Sequence, residues 1–355
     1  MGGLPNRTRF RDSRYPVLVL VLVLSILGSP LARAQRERTD VILLNNGDRV
    51  TGEIEHLEHG LLRVRTDFMG RVDIEWENVE QVTSNYLFEV ELSNGERHFG
   101  SILPSDDKQY VDVTGEAGPV RLERMSVVRI AQLENRFLQR WDGSLDVGFS
   151  FLRANRSTNF NLGFQGGYRL PAHLTNVRLD SNVSDQQNLE KTTRHTFNLN
   201  HNRFFGYRWF TNVLANFEHN NELGLDLRST GGGGIGRHLI QTNRSELTLL
   251  AGGLFSRENF PSDPSVSSVE AMTTLSFRTF SYSFPNMEVY INLSVIPSLS
   301  DPGRLRVAFS SELTYEFFRD FYWKAKMYDD FDSDGPERDA EKNDFGVSTS
   351  IGWAF

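Results

Sequence analysis

Between Trp141 and Phe355, apolar and polar residues alternate with a period of two in segment after segment. In the first segment the apolar residues Leu145, Val147, Phe149 and Phe151 alternate with Ser144, Asp146, Gly148 and Ser150. About twelve such segments begin near residues 143, 158, 175, 193, 208, 225, 245, 268, 287, 304, 321 and 344. Period two is typical of strands with one apolar and one polar face. The pattern predicts an all-β fold, with an antiparallel transmembrane β-barrel of about 12 strands over residues 141–355.

The connections between these segments differ on the two sides of the predicted barrel. Connections after odd-numbered strands are polar and often long, at residues 185–191, 219–224, 257–267 and 329–343. Those after even-numbered strands are short, and several are aromatic, with Phe204, Phe205 and Tyr207, then Phe280, Tyr282 and Phe284, then Phe317, Phe318, Phe321 and Tyr322. A bilayer boundary explains short aromatic turns on one side. A soluble two-sheet sandwich also alternates but gives no reason for this asymmetry.

Residues 40–132 contain an internal repeat with a constant offset of 48 residues. Asn46-Gly-Asp-Arg49 matches Asn94-Gly-Glu-Arg97, and Val79 matches Val127. Asn-Gly between alternating segments predicts a hairpin with a type I′ turn. The length of each repeat suits a small SH3-like barrel, and LSNGERHFGSI at residues 92–102 resembles Sm-like barrels. We predict two small β-barrel repeats, at residues 40–84 and 86–132.

The first 34 residues predict a secretory signal peptide. Several arginines precede an apolar run from Val17 to Leu27, and Ala32-Arg-Ala34 supplies a small-residue cleavage site. Removing this segment takes away five Arg and one Asp, so the net charge changes from −8 to −12. An acidic exported chain is a poor partner for nucleic acid. The sequence has no cysteine, which excludes disulfides and thiolate metal sites.

The chain ends in an alternating aromatic strand, with Phe345, Val347, Ile351, Trp353 and Phe355 on one face. We expect this strand to direct insertion by the bacterial barrel-assembly machinery through Phe355, and to pair with the first strand so that no open edge faces lipid. The predicted location is the bacterial outer membrane, with the N-terminal repeats in the periplasm. Expected partners are outer-membrane lipid and a periplasmic protein or cell-wall polymer.

Several tracts in the second part of the chain carry a family resemblance. LDLRSTGGGGIGRH at residues 225–238, SELTLLAGG at 245–253 and SVEA at 268–271 precede an Asp-rich loop and the aromatic last strand. Over residues 140–355 the chain resembles the YdiY-like family of salt-induced outer-membrane proteins, a domain of unknown function. The resemblance implies an outer-membrane barrel and transfers no catalytic residues.

One acidic loop matches a calcium-binding pattern. In DFDSDGPERDAE at residues 330–341, the candidate ligands are Asp330, Asp332, Asp334 and Glu341, and Gly335 stands where such a loop turns sharply. Glu337 occupies a position that is usually apolar, and no helix is predicted on either side. The alternative is a solvated acidic loop between strands 11 and 12.

The remaining motifs point away from catalysis. Gly231, Gly233 and Gly236 fit a dinucleotide fingerprint but open no predicted helix. No Gly-x-Ser-x-Gly motif occurs, and His195 and His201 fall on an outward register, so the register slips there or they lie near an interface. On the predicted inward face, charges of both signs are mixed, with Arg169, Arg178, Arg194, Arg228, Arg278, Arg306, Lys324 and Lys326 against Asp146, Asp180, Glu218, Asp226, Glu246, Glu270, Glu288, Glu312 and Glu316. Mixed charges predict cross-strand pairing in a narrow or plugged barrel as readily as an open pore.

These observations predict a protein without enzymatic activity and without an obligatory cofactor. Its role would be structural, stress-related or in small-solute permeation. Two alternatives stay open: a hydrolase with Ser, His and an acid on the lipid-facing surface, and a secreted soluble β-sandwich that binds a ligand.

Overall fold

The computed structural model describes residues 38–116, 118–133, 141–153, 156–170, 172–187, 190–221, 225–261, 264–333 and 342–353. The predicted signal peptide, the terminal Phe355 and most of the predicted calcium loop lie outside these residues. The described elements are all strands except two short 3-10 helices, so the predicted all-β class is confirmed. No helix in the described part of the chain is long and apolar enough to cross a membrane.

The N-terminal module, residues 40–132, contains nine strands. They are β1 (Asp40–Leu44), β2 (Arg49–Glu58), β3 (Leu61–Arg65), β4 (Arg71–Glu75), β5 (Val79–Leu92), β6 (Arg97–Leu103), β7 (Tyr110–Gly115), β8 (Gly118–Glu123) and β9 (Val127–Gln132). The 3-10 helices, Trp76–Asn78 and Arg124–Ser126, lie 48 residues apart, in agreement with the predicted repeat. The strands run in the order β4-β3-β2-β1-β5-β6-β7-β8, and β9 pairs with β2 and β5.

The two repeats share one strand and one core. The 14-residue β5 crosses the predicted boundary near residue 85: its first half pairs with β1, and its second half pairs with β6 and β9. Residues 48 positions apart also bond each other across the repeats, since Trp76 Nε1 donates to the Arg124 carbonyl at 2.9 Å and Arg124 Nη1 donates to the Trp76 carbonyl at 3.1 Å. Buried side chains from both repeats, including Ile54, Trp76, Phe88 and Ile102, form a single cluster.

Both Asn-Gly hairpin turns have a different geometry from the one predicted. A type I′ turn needs positive φ at both central residues, but only the glycines, Gly47 at 89° and Gly95 at 85°, have it. Gly47 N donates to the Leu44 carbonyl at 2.9 Å, and Leu44 N donates to the Asp48 carbonyl at 2.8 Å. This is a type I turn followed by a glycine bulge, the usual three-residue hairpin loop. The hairpins form where predicted, and the type I′ assignment is wrong.

The described residues between 141 and 353 form one antiparallel 12-stranded sheet in sequence order. Its strands are β10 (Trp141–Leu152), β11 (Ser157–Leu170), β12 (His173–Gln186), β13 (Thr192–Phe204), β14 (Trp209–Asn220), β15 (Leu225–Gln241), β16 (Ser245–Asn259), β17 (Val266–Ser281), β18 (Met287–Pro297), β19 (Leu305–Phe318), β20 (Phe321–Asp332) and β21 (Asn343–Trp353). Every strand begins within two residues of the predicted position, because period two marks a half-apolar strand directly.

The closure of this sheet differs from the prediction. No ladder joins β10 to β21 among the described residues, although each pairs fully with its other neighbour. The 12 antiparallel strands of a barrel are therefore present, and the described residues show no ladder between the first and the last of them.

Candidate functional site

The 12-stranded sheet separates its side chains into an apolar face and a polar face. Directly opposite residues in an antiparallel ladder share a face, so Val177 and Leu199 lie on one face while Arg178 and Asn198 lie on the other. The paired charges of Glu246 with Arg278, and of Glu312 with Lys326, fall on the polar face as predicted. His195 and His201 lie on the apolar face, opposite His219 and Val213, with no slip in register.

Asparagines occupy the middle of the polar face on β13 and β14. Asn212 Nδ2 donates to Asn200 Oδ1 at 3.1 Å and to Asn202 Oδ1 at 2.8 Å, and Asn216 Nδ2 donates to Asn198 Oδ1 at 2.5 Å. Their amides bond to one another across the two strands. This part of the face is polar but uncharged.

The N-terminal module packs against one end of the sheet, called here the turn end, where the short connections after β11, β13, β15, β17 and β19 lie. Asn243, in the β15–β16 turn, donates to the Val127 carbonyl at 2.8 Å. Gly95 lies so close to Arg208 that a Cβ there would be 2.3 Å from the Arg208 nitrogen. The module therefore contacts at least the turns that follow β13 and β15.

A buried layer of charged side chains, called here the charge layer, lies between the module and the polar face. Glu89 and Glu91 on β5 are 0% and 1% exposed. Arg97 Nε lies 3.1 Å from Glu89 Oε1, outside hydrogen-bonding geometry, and Arg97 Nη2 donates to Glu91 Oε1 at 3.2 Å. Arg169 of β11 approaches Glu89 from the sheet at 3.8 Å, and Gln241 of β15 donates to Glu91 at 3.3 Å.

Arg129 connects this layer to the edge of the module. Its Nη2 donates to Glu58 Oε1 at 2.6 Å, and its Nη1 lies 3.7 Å from Glu91 Oε2. Burial alone would raise the pKa of Glu58, but the charges of Arg129, His59 and Arg169 and the hydrogen bond from Arg129 together outweigh it and lower that pKa to about 2. Burial also acts to raise the pKa of Glu91, but the charges of Arg129 and Arg97, with the hydrogen bonds to this carboxylate, lower it overall. Both carboxylates are therefore charged at neutral pH.

An aromatic side chain supports the arginines of the charge layer. The guanidinium carbons of Arg97 and Arg129 lie 4.9 Å and 5.8 Å from the ring centre of Phe204, at the end of β13. Cations are attracted to aromatic faces at such distances. Phe204 is 8% exposed, so this residue, predicted for an aromatic turn at the bilayer boundary, belongs to the contact with the module.

A second polar contact joins the module to the sheet through His59, which follows β2. His59 Nε2 lies 3.4 Å from Glu246 Oε2, and Glu246 Oε1 lies 3.0 Å from His238 Nδ1. Arg278 Nη1 lies 3.3 Å from the same His59 nitrogen. Among the described residues, no group of three or more His, Cys, Asp or Glu side chains is arranged to hold a metal ion.

Ion pairs also occupy the opposite end of the polar face, the loop end. Arg228 lies between Glu218 at 3.3 Å and Glu258 at 2.9 Å, and Arg306 Nη2 donates to Glu270 Oε2 at 2.5 Å. Apart from Glu258, the residues of these pairs are charges that the sequence analysis places on the inward face. Cross-strand pairing of mixed charges is what we predicted for that face.

The predicted calcium ligands are only partly described. Asp330 and Asp332 lie on the polar face of β20, while Asp334 and Glu341 lie outside the described residues. Arg304 binds Asp332 with two hydrogen bonds, at 3.1 Å and 2.7 Å. A calcium ion at Asp332 would compete with this bidentate pair.

Two other sequence motifs have structural roles. Gly231, Gly233 and Gly236 lie inside β15 rather than before a helix. A Cβ on Gly236 would meet the Phe210 ring at 2.2 Å. The absence of a side chain at Gly236 therefore leaves room for the Phe210 ring of the neighbouring strand β14, as expected for glycine in a strand.

The residues of the charge layer within the module were missed by the sequence analysis. Glu89 and Glu91 alternate with buried apolar residues, which is the pattern of an ordinary solvated strand face. One signal was available: the positions 48 residues earlier are Val41 and Leu43, so two carboxylates are specific to the second repeat. Arg97 and Arg129 gave no comparable signal.

Comparison with known proteins gives one family. The family described as "Protein of unknown function, DUF481" matches residues 145–355. That region is the 12-stranded sheet, and the match agrees with the resemblance found in its sequence. No curated protein matches the chain.

Proposed function

Because the chain belongs to the DUF481 family, whose description assigns no activity, we propose its function from geometry: a non-enzymatic bacterial outer-membrane β-barrel that carries small solutes. In this proposal the apolar face of β10–β21 contacts lipid, and the polar face lines the interior. The N-terminal module lies in the periplasm and closes the turn end of the interior at rest.

The observation that carries the proposal is the exposure of the apolar face. Phe149, Phe255, Val347 and Ile351 are each more than half exposed, and all lie on this face. Soluble proteins rarely expose apolar patches of this extent, which mark membrane or protein contact. Strands of 11–17 residues are long enough to cross a bilayer at a tilt.

The charge layer supports a resting state that is closed. Glu89, Glu91, Arg97 and Arg129 come from the module, and Arg169 meets them from β11. An ion crossing the turn end would have to displace side chains that are already paired. Passage through the interior then depends on movement of the module.

The proposal also requires β10 to pair with β21 in the membrane, because unpaired backbone groups cost several kcal/mol each in lipid. A chain without native cysteine allows a clean test. Phe149→Cys on β10 is combined in turn with a cysteine substitution at residue 345, 347, 349 or 351 of β21. In purified outer membranes, the double variant whose two cysteines lie opposite each other should form a disulfide. A soluble sheet edge would give none.

Conductance in a planar bilayer tests the permeation role. The intact protein should be silent or open rarely, and Glu91→Lys should increase opening because it places a like charge beside Arg97 and Arg129. Glu123→Lys, an exposed position of the same module, serves as the control and should stay silent. Silence of both variants would favour a structural role, and recovery of the protein in the soluble fraction would contradict the membrane location.

A second candidate function, a hydrolase at the lipid-facing surface, has one observation in its favour. Ser181 Oγ lies 2.8 Å from His195 Nδ1 on the apolar face, and the His195 ring stacks on His219 at 5.8 Å. No carboxylate hydrogen-bonds His195 within the described residues, so the pair lacks the acid that orients a catalytic histidine. Labelling of Ser181 by a fluorophosphonate, abolished by His195→Ala, would establish this activity.

A further inference from the structure

A recess of about 200 Å³ lies between the N-terminal module and the turns after β15 and β17. The module contributes Glu75, Glu77 and Met125, and the sheet contributes Asn243, Phe280 and Tyr282. The recess is smaller than the roughly 300 Å³ at which pockets for drug-sized ligands begin. Only a small molecule can occupy it.

The internal repeat gives this recess two unlike sides. Glu77 and Met125 stand 48 residues apart, each one position after the residues Trp76 and Arg124 that bond each other across the repeats. The recess therefore lies near the axis that relates the two repeats. At equivalent positions, the first repeat supplies a carboxylate and the second an apolar thioether.

The charge around the recess is negative and only partly paired. Glu77 accepts a hydrogen bond from Arg244 Nη2 at 2.7 Å, while Glu75 accepts one from the neutral Asn78 amide at 3.1 Å. Burial and the charge of Glu77 raise the pKa of Glu75. The Asn243 Oδ1 atom is buried without a hydrogen-bond partner in the described structure.

Two aromatic rings form the sheet side of the recess. Phe280 and Tyr282 stack with their centroids 5.5 Å apart and their planes at 29°. Phe280 is 3% exposed, and the His59 ring packs edge-on against it at 5.6 Å. The face of an aromatic ring attracts cations, above all ammonium groups with apolar substituents.

We propose that this recess binds a small organic cation, such as a quaternary ammonium compound, beside Glu75 and against the stacked pair of Phe280 and Tyr282. Carboxylates disfavour an anion there, and two aromatic walls cannot supply the six to eight oxygens that calcium requires. The ligand would contact the module and the sheet at once. Its binding would therefore stabilise the docked module, because a ligand stabilises the state to which it binds.

Isothermal titration of the full-length protein in detergent with choline chloride tests the proposal. Choline should bind saturably, whereas its neutral carbon isostere 3,3-dimethylbutan-1-ol should bind at least about tenfold more weakly because it lacks the charge. Glu75→Gln and Phe280→Leu should each lower choline affinity by about the same factor. Arg244→Gln should raise it, because that change removes a competing cation from the rim.

The internal repeat supplies a matched control. Glu123 is the equivalent of Glu75, 48 residues later, and it is exposed to solvent. Glu123→Gln should bind choline like the unaltered protein. As a second readout, choline should slow proteolytic release of the module from the unaltered protein and leave Glu75→Gln unaffected.

Three results would overturn the proposal. They are an absence of choline binding to the unaltered protein, equal affinity for the neutral isostere, and unchanged affinity in both Glu75→Gln and Phe280→Leu. None of these depends on conductance or membrane location, so the cation site and the permeation role can fail independently.

Discussion

The N-terminal module and the 12-stranded sheet use the same alternation of residues in opposite ways. In the module, most apolar strand residues face inward, and Ile42, Ile54 and Phe88 are fully buried. In the sheet, the apolar residues face outward, and Val347 and Phe149 are 66% and 70% exposed. Period two reports that a strand has two unlike faces, and does not report which face meets solvent. Which face of a strand is buried and which is exposed is visible only in the assembled structure.

The largest expected effect comes from opening the module core. Trp76→Ala should destabilise the module by about 3–5 kcal/mol, because it removes a buried aromatic ring, and it also removes a hydrogen bond to the Arg124 carbonyl. Hydrogen exchange of the full-length protein should show lost protection over both repeats. Phe149→Ala on the exposed apolar face is the control, and equal losses in the two variants would contradict the contrast between the regions.

A charge on the apolar face should have the next largest effect. Ile291→Arg, in the middle of β18, should cost about 2–4 kcal/mol if that face meets hydrocarbon. Asn292→Arg places the same side chain on the polar face, where Asn292 donates to Ser276 at 2.7 Å, and should be tolerated better. Folding into lipid vesicles measures both, and equal tolerance would exclude lipid contact at this position.

Acid should loosen the charge layer and weaken the docking of the module on the sheet. Glu58 and Glu91 have pKa values below their ordinary value of 4.5, and that of Glu58 is about 2. Their contribution to the stability of the module, through Arg129 and Arg97, and to its docking, through Arg169 and Gln241, is therefore complete above pH 4.5 and is lost as the pH falls towards about 2. Glu58 faces Arg129, His59 and Arg169, and Glu91 faces Arg97, Arg129 and Gln241.

Protease accessibility of the module between pH 5 and pH 2.5, with an acid-active protease, would measure this weakening. The double variant Glu58→Gln and Glu91→Gln should dock more weakly at neutral pH and show a flatter pH dependence. An unchanged profile in that variant would assign the acid response to other groups.

The smallest effect is expected at the exposed ion pair of Glu77 and Arg244, which also joins the module to the sheet. Arg244 is 77% exposed, and exposed ion pairs contribute at most about 1 kcal/mol. Arg244→Gln should leave docking almost unchanged in the same protease assay. A large loss would show that surface charges, rather than the charge layer, hold the two regions together.

Much of the fold could be predicted from the sequence because the strands carry their own signal. The twelve strands of the sheet, the 48-residue repeat and the mixed charges of the polar face all follow from spacing alone. The hairpin turns were placed correctly, but Asn46 and Asn94 do not adopt the φ that a type I′ turn needs. The Asn-Gly pair shows where a turn lies, but both a type I′ turn and a type I turn with a glycine bulge accept it, so it does not decide the turn type.

The contact between module and sheet could not be predicted in the same way. Glu89 and Arg169 are 80 positions apart in the chain, and each fits its own strand as a solvated residue. The recess likewise joins Glu75 to Phe280 only through the packing of two separate regions. Contacts of this kind arise from tertiary packing, which leaves no periodic trace in a single sequence.

The strand β5 has a consequence for how the module responds to force or ligand. Because this strand belongs to both repeats, one repeat cannot unfold without removing a paired strand from the other. Unfolding of the module should therefore be cooperative, all ninety or so residues together. A force or a ligand that acts on one repeat therefore also acts on the other, because the shared strand leaves no hinge between them. The module should move relative to the sheet as one rigid body.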